Sequence, residues 1–224
     1  MKFALSIVAL IVAGLMIPFL IPDAGKKAGV DPDANLPWQV DVDSDGGSRV
    51  FGLSPGRSTL AEVRQRWGSD MELAIVAAPD EVGTLEAYFN QLALGFVLAK
   101  AIVTVDAGPE TITAMRERAL KAEHMESTTR KIRLHPEDVA RADGMKIRAI
   151  SIIPSVNLDE ATVIQRFGQP DERLAVGEAR VHLLYAKLGL DVVVDGKGKE
   201  LFQYVAPAAF DLLRAPLLKD GAGQ

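Results

Sequence analysis

The chain carries one ten-residue stretch twice, as TLAEVRQRWG at residues 59–68 and as DEATVIQRFG at residues 159–168. The two copies are offset by 100 positions, five of the ten residues are identical, and both ninth positions are aromatic. Each copy follows an apolar stretch and a proline, Pro55 in the first and Pro154 in the second. This shared order indicates an internal duplication, so we expect two similar modules.

The first copy predicts a short helix with one apolar face. Leu60, Val63 and Trp67 recur at the spacing that places side chains on the same side of a helix. Thr59 and Glu62 have the spacing of a capping box, in which the two residues satisfy each other's backbone N–H groups. The helix is therefore expected to begin directly after Thr59.

The second copy predicts an equivalent helix. Asn157 and Glu160 repeat the capping-box spacing. Gly68 and Gly168 fall where the two helices end, and a left-handed residue is expected there because glycine adopts that conformation at the least cost.

Arg66 and Arg166 occupy the same position in the two copies, one residue before the aromatic side chain. Near a helix C-terminus a positive charge interacts favourably with the helix dipole. We expect both side chains to point outward, which makes them candidates for a partner-binding surface.

Each helix is followed by segments rich in β-branched and aromatic residues, which predict an antiparallel meander. The predicted strands are residues 71–77, 85–89 and 101–105 after the first helix, and residues 173–176, 181–185, 190–194 and 201–205 after the second. The two modules are expected to share one sheet and one core.

The segment between the modules is predicted to be mostly helical, with helices opening at Pro109 and Pro136 and one short strand. Residues 116–148 hold nine basic and six acidic side chains in a chain of net charge −5. Arg130, Lys131 and Arg133 lie in its densest part, and they are candidates for contact with an acidic protein or anionic lipid. The alternative is a solvated charged face.

The N-terminus is strongly apolar: residues 3–21 are all hydrophobic except Ser6, Gly14 and Pro18. As a helix this run spans about 28 Å, close to the thickness of a bilayer core. It predicts a retained transmembrane anchor, and a cleaved signal peptide is the alternative. Because only Met1 and Lys2 precede the run, and so short a tail usually stays inside, we expect a single-pass protein of the inner (plasma) membrane with its body in the periplasm or otherwise outside the cytoplasm.

The predicted fold class is α+β, with an N-terminal transmembrane helix followed by two tandem modules of a helix and an antiparallel meander. The expected divisions are residues 1–22, the anchor; 23–49, an acidic tether rich in proline and glycine; 50–107, the first module; 108–148, the inserted helical segment; and 149–224, the second module and tail.

A longer pattern surrounds the two stretches. Its residues are Pro55, Gly56, Arg57, Ser58, Val63, Trp67 and Gly68 in the first copy, and Asn157, Val163, Phe167, Gly168, Gln169 and Pro170 in the second. This pattern resembles the repeat of the SmpA/BamE envelope lipoproteins, and two such modules in tandem resemble the fold of the β-lactamase inhibitor protein. The resemblance implies tandem α+β modules whose sheets form a protein-binding surface without catalytic chemistry.

Metal and cofactor sites are not expected. The sequence DVDSDG at residues 41–46 begins like a calcium loop, but the twelfth position is Gly52 rather than an acid, so an acidic solvated tether is favoured. His124, His135 and His182 do not have the spacing of metal ligands.

The composition and motifs also argue against two classes of function, catalysis and nucleic-acid binding. The chain has no cysteine, and the Gly-Leu-Ser-Pro-Gly sequence at residues 52–56 is interpreted as a turn rather than a nucleophile elbow, so an enzyme is not predicted. A pI near 5.3 argues against nucleic acid. The sequence predicts a membrane-anchored extracytoplasmic protein-interaction module, an accessory component of an envelope or membrane complex with an unidentified protein partner. The alternative is a lipid or small-ligand carrier in which residues 92–105 line a cavity.

Overall fold

The computed structural model describes residues 35–124 and 129–221, which form twelve strands and five short α-helices. The strands are β1 (Val40–Val42), β2 (Ser48–Val50), β3 (Glu72–Ala77), β4 (Thr84–Leu94), β5 (Val97–Val105), β6 (Lys121–His124), β7 (Arg130–Arg133), β8 (Ile147–Pro154), β9 (Glu172–Val176), β10 (Arg180–Tyr185), β11 (Leu190–Asp195) and β12 (Leu201–Val205). The helices are α1 (Leu60–Trp67), α2 (Pro109–Glu117), α3 (Pro136–Ala142), α4 (Glu160–Phe167) and α5 (Asp211–Gly221).

Ten of the strands form one antiparallel sheet in the order β6-β7-β3-β4-β5-β8-β12-β11-β10-β9. The strands after α1 and after α4 run as meanders, as predicted, and β8 joins the two halves by pairing with β5 on one side and β12 on the other. The prediction of one shared sheet is confirmed.

The main core lies between the sheet and helices α1 to α4, on what we call the helix face of the sheet. Alternate residues of β5 point into it, as the period of a strand requires. Leu60 and Val63 of α1 and Val163 of α4 belong to the same cluster. The two modules therefore share one core, which is also as predicted.

Helix α5 covers part of the opposite face of the sheet. Leu213 and Leu217 pack there with Leu184 and Val205 of the sheet, and Arg214 forms a two-pronged ion pair with Glu172 at 2.6 and 3.1 Å.

The predicted fold class, α+β with an N-terminal transmembrane helix, is corrected by the structure. The described part of the chain is mostly β, because one large antiparallel sheet outweighs five helices of 7 to 11 residues. Within this part no helix has both the length and the apolarity needed to cross a bilayer. The predicted anchor, residues 1–22, lies outside the described residues.

The expectation of a mostly helical insertion is also wrong. Helix α2 ends at Glu117, and the chain then turns into β6, which pairs with β7 at the edge of the sheet. Ala119 and Ala122 keep helical spacing in the sequence. The pairing of β6 with β7 overrides that local preference, as tertiary contacts often do.

The N-caps of α1 and α4 lie at equivalent positions of the two copies, Thr59 and Asp159. Thr59 and Glu62 form the predicted capping box, with N–H···O distances of 3.3 and 2.7 Å. In the second copy the cap is Asp159, which accepts from the Thr162 N–H at 2.7 Å, and the predicted cap at Asn157 is wrong. Glu160 pairs instead with Arg173.

Both helices end on a glycine with positive φ, 93° at Gly68 and 83° at Gly168. The expectation of a left-handed residue is met in the sign of φ alone, because ψ is extended at both glycines rather than left-handed helical. That region of backbone space is essentially restricted to glycine.

Candidate interaction surfaces

Arg66 and Arg166, the equivalent arginines of the two copies, both contact one short segment near the start of the described chain. Arg66 donates to the Phe51 carbonyl and to the Asn35 side chain. The Arg166 guanidinium lies 4.7 Å from the centre of the Trp38 ring, a cation–π contact. The structure thus brings the two C-terminal helix ends to the same segment, and their arginines engage the chain itself.

Further contacts fix this segment on the body. Leu36 and Pro37 are buried, and the Tyr204 hydroxyl donates to the Pro37 carbonyl at 2.8 Å. Strands β1 and β2 pair as a small hairpin within the stretch interpreted as a tether. Within the described residues, contacts with the rest of the fold therefore begin at Asn35.

The acidic residues of this hairpin contact an arginine. Arg57 lies 3.1 Å from Asp43 and 2.8 Å from Asp45. The hydrogen bond from Arg57 holds the pKa of Asp45 below its ordinary value. Among the residues that the structure describes, no group of three or more metal-binding side chains is found.

An exposed apolar surface, the tip patch, lies beside this segment at the turn between β4 and β5. We define it by Trp38 and Phe96, whose ring centres are 5.9 Å apart, together with the exposed residues Leu98 and Val156 on adjoining stretches of backbone. Phe96 is 59% exposed, and Trp38 is half-buried. The Ser155 N–H donates to the Leu98 carbonyl at 2.8 Å, so the backbone that leads into Val156 lies next to the start of β5.

The tip patch is not predicted from the sequence. The composition of residues 92–105 indicates one apolar stretch, although Gly95 interrupts it. Gly95 has a φ of 59° and forms the turn that exposes Phe96. Glycine between two apolar runs was the available signal for a hairpin.

The three basic candidates of the inserted segment all lie on β7, one strand in from the sheet edge. We call β6 and β7 together the basic edge. Ile132 points into the core, Lys131 and Arg133 lie on the opposite face, and Arg130 lies on the helix-face side. Lys131 pairs with Glu72 at 2.7 Å. In the described part of the chain, Arg130 and Arg133 are exposed and have no ion-pair partner.

A buried polar pair lies on the opposite face of the sheet. His182 Nδ1 and Asp191 Oδ2 are 2.8 Å apart, and both side chains are 2% exposed. Burial raises the pKa of Asp191, and the hydrogen bond with His182 acts in the other direction. Asp191 is directly paired with Gln203, and Gln203 with Ser151, so a row of buried polar residues crosses three strands.

The three histidines have different surroundings. His182 packs across strands, with its ring against Asp191 of β11. His135 caps α3, where its Nδ1 accepts from the Glu137 N–H at 3.4 Å. The side chain of His124 lies outside the described positions.

Glu86 is a second acid whose surroundings disfavour its charged form. It lies on β4, on the opposite face from the core. Burial raises the pKa of Glu86 to about 7, and the hydrogen bond from the Thr84 hydroxyl, at 2.6 Å, partly offsets this.

Comparison of the chain with protein-family models, curated proteins and solved structures finds no match. The resemblance to the SmpA/BamE repeat therefore stays a prediction. The proposed function therefore rests on the surfaces described above.

Proposed function

We propose that this protein is a membrane-directed, extracytoplasmic protein-interaction module that serves as an accessory component of an envelope or membrane complex. The apolar run at residues 3–21 supports the membrane direction, because such runs send chains into a bilayer or across it. The duplicated body supplies a rigid sheet on which a partner can dock.

The observation that carries the proposal is that two arginines of the basic edge are exposed and have no ion-pair partner within the described residues. Most arginines of the body are committed to contacts within the chain, as Arg64 is with Asp143 and Arg148 with Asp106. Arg130 and Arg133 are exposed and unpaired within the described residues. In a chain of net charge −5, a basic site of this kind favours an acidic partner and steers its approach.

The geometry of the edge suits a protein partner. β6 is the outermost strand of the sheet, and its Lys121 lies directly opposite Arg133. A partner that approaches the edge meets cations from both faces of β7. Arginine suits such a surface because its planar fork binds carboxylates through two hydrogen bonds.

Affinity purification from solubilised membranes tests the proposal. The tagged full-length protein is compared with the double variant Arg130→Glu plus Arg133→Glu. The matched control is Lys187→Glu plus Lys197→Glu, which changes the net charge by the same amount at two exposed lysines away from the edge. We expect recurrent stoichiometric partners with the wild type and the control, and their loss with the double variant.

Two outcomes would contradict the proposal. A wild-type protein that purifies alone, carrying only lipid, favours the carrier instead. If the partners bind the wild type, the double variant and the control equally, the basic edge is not part of the interface.

The carrier hypothesis has weaker support. The alternating residues of β5 from Ala99 to Val105 belong to the same packed core as α1 and α4. No second function is therefore proposed.

A further inference from the structure

We propose that the tip patch docks on the interface of the membrane and so orients the body against the bilayer. This rests on the membrane direction of the proposed function, and it adds a second contact surface, separate from the basic edge. The patch combines Trp38, Phe96, Leu98 and Val156 with the Arg166 guanidinium above the indole.

The position of the patch along the chain is the first argument. The described structure begins at Asn35, three residues before Trp38, and the apolar run ends at Ile21. Fourteen residues reach at most about 50 Å, so this length of chain allows the patch to reach the membrane to which the run is directed. Trp38 lies at the point where the body meets the chain that leads to the bilayer.

The chemistry of the patch is the second argument. Indole rings are enriched at membrane interfaces, where an apolar ring body and a polar N–H are both satisfied. Phe96, Leu98 and Val156 are each about half exposed or more, which leaves apolar surface available for burial in lipid. Arg166 supplies a charge suited to anionic headgroups at the rim of this surface.

The basic edge does not have this character. Its exposed residues in the described part are three cations, Lys121, Arg130 and Arg133, and one small residue, Ala122, without an aromatic anchor. The two surfaces therefore suit different partners, lipid at the tip patch and an acidic protein at the basic edge.

Tryptophan quenching in vesicles tests the inference. The chain has two tryptophans, so the variant Trp67→Phe leaves Trp38 as the reporter. This change reproduces the aromatic residue of the second copy, Phe167. The full chain is reconstituted in vesicles of phosphatidylcholine and phosphatidylglycerol whose acyl chains are brominated near the headgroup. We expect Trp38 fluorescence to be blue-shifted and quenched.

Two further variants make the test specific. Phe96→Ser with Leu98→Ser, in the same background, is expected to abolish the quenching. Leu120→Ser is the control, because Leu120 is equally exposed, at 58%, but lies next to β6 away from the patch. It should leave the quenching unchanged.

The contrary results separate the two proposals. If the chain floats with the vesicles but Trp38 is not quenched, patch docking is wrong and the membrane direction stands. If the chain does not associate with vesicles at all, both fail. If Trp38 is unquenched in vesicles but shielded from iodide in native membranes, the patch binds a protein, and lipid docking is again wrong.

Discussion

Helices α1 and α4 carry the same ten-residue stretch, but they are integrated into the fold to different extents. In α1, Leu60 and Val63 are both fully buried, and the N–H groups of Leu60 and Ala61 donate to carbonyls of the loop before β8. In α4 only Val163 is buried, and position 160 carries a glutamate that pairs with Arg173. The first helix links several parts of the chain, whereas the second packs mainly on its own meander.

This difference shows which features of a duplicated stretch are local. The cap and the final glycine recur in both copies because each serves the helix itself. The buried surface differs because each copy meets a different set of neighbours. Changes at equivalent positions can therefore separate local from tertiary effects.

The largest expected difference is between positions 60 and 160. Leu60→Ala should lower the free energy of unfolding by about 2–5 kcal/mol, because it leaves a cavity in the core. Glu160→Ala should cost less than about 1 kcal/mol, because its ion pair is partly exposed. Urea unfolding followed by circular dichroism measures both. Equal losses would mean that the two helices are equally integrated.

The terminal glycines should instead behave alike. Gly68→Ala and Gly168→Ala should each cost about 1–3 kcal/mol, because alanine is strained at this backbone conformation. At Gly168 an added Cβ meets no atom within 4 Å, so the cost there is conformational alone. Gly144→Ala is the control, since Gly144 lacks a positive φ and the nearest atom would be 3.8 Å away. A loss at Gly144 as large as at Gly168 would contradict this explanation.

The two halves can also be compared through two acids with raised pKa values, the half-buried Glu86 and the fully buried Asp191. The pKa of each is raised by burial, so the protonated form stabilises the fold. For Glu86 this contribution is complete below pH 4.5 and is lost as the pH rises through about 7. Glu86→Gln and Asp191→Asn should each flatten part of the fall in melting temperature with rising pH. Glu178→Gln, at an exposed site, should not, and an unchanged profile in Glu86→Gln would refute the assignment.

The smallest effects are expected at the caps, where the two copies differ in pH dependence. Thr59→Ala should cost about 1 kcal/mol at every pH, because a hydroxyl does not titrate in this range. The hydrogen bond from Thr162 lowers the pKa of Asp159 below 3.8. The charged cap therefore stabilises the fold above pH 3.8, and this stabilisation is lost as the pH falls through the lowered pKa. The melting temperatures of Asp159→Ala and the wild type should therefore become equal at low pH. A constant difference would argue against a charged cap.

Much of the sheet could be predicted from the sequence, because the strands of both meanders are short β-branched runs between turn residues. The register of the second cap could also have been found, since the offset of 100 that relates the two stretches aligns Thr59 with Asp159. The capping-box spacing of Asn157 and Glu160 instead predicts a cap at Asn157. The alignment of the two copies identifies the observed cap, whereas the spacing alone does not.

The features that were missed depend on non-local contacts. β6 retains helical spacing in its sequence and becomes a strand only by pairing with β7. The contacts of Arg66 and Arg166 with Asn35 and Trp38 link positions 31 or more residues apart. Local periodicity holds no information about such contacts.

Site-specific photo-crosslinking in intact cells tests most directly the claim that the basic edge binds a protein. A photoreactive residue replaces the exposed Ala122 of β6 in one variant, which keeps Arg130 and Arg133, and Lys187 in a control variant. We expect a discrete crosslinked protein species from position 122 and none from position 187. No species from position 122, or the same species from both positions, would contradict the claim.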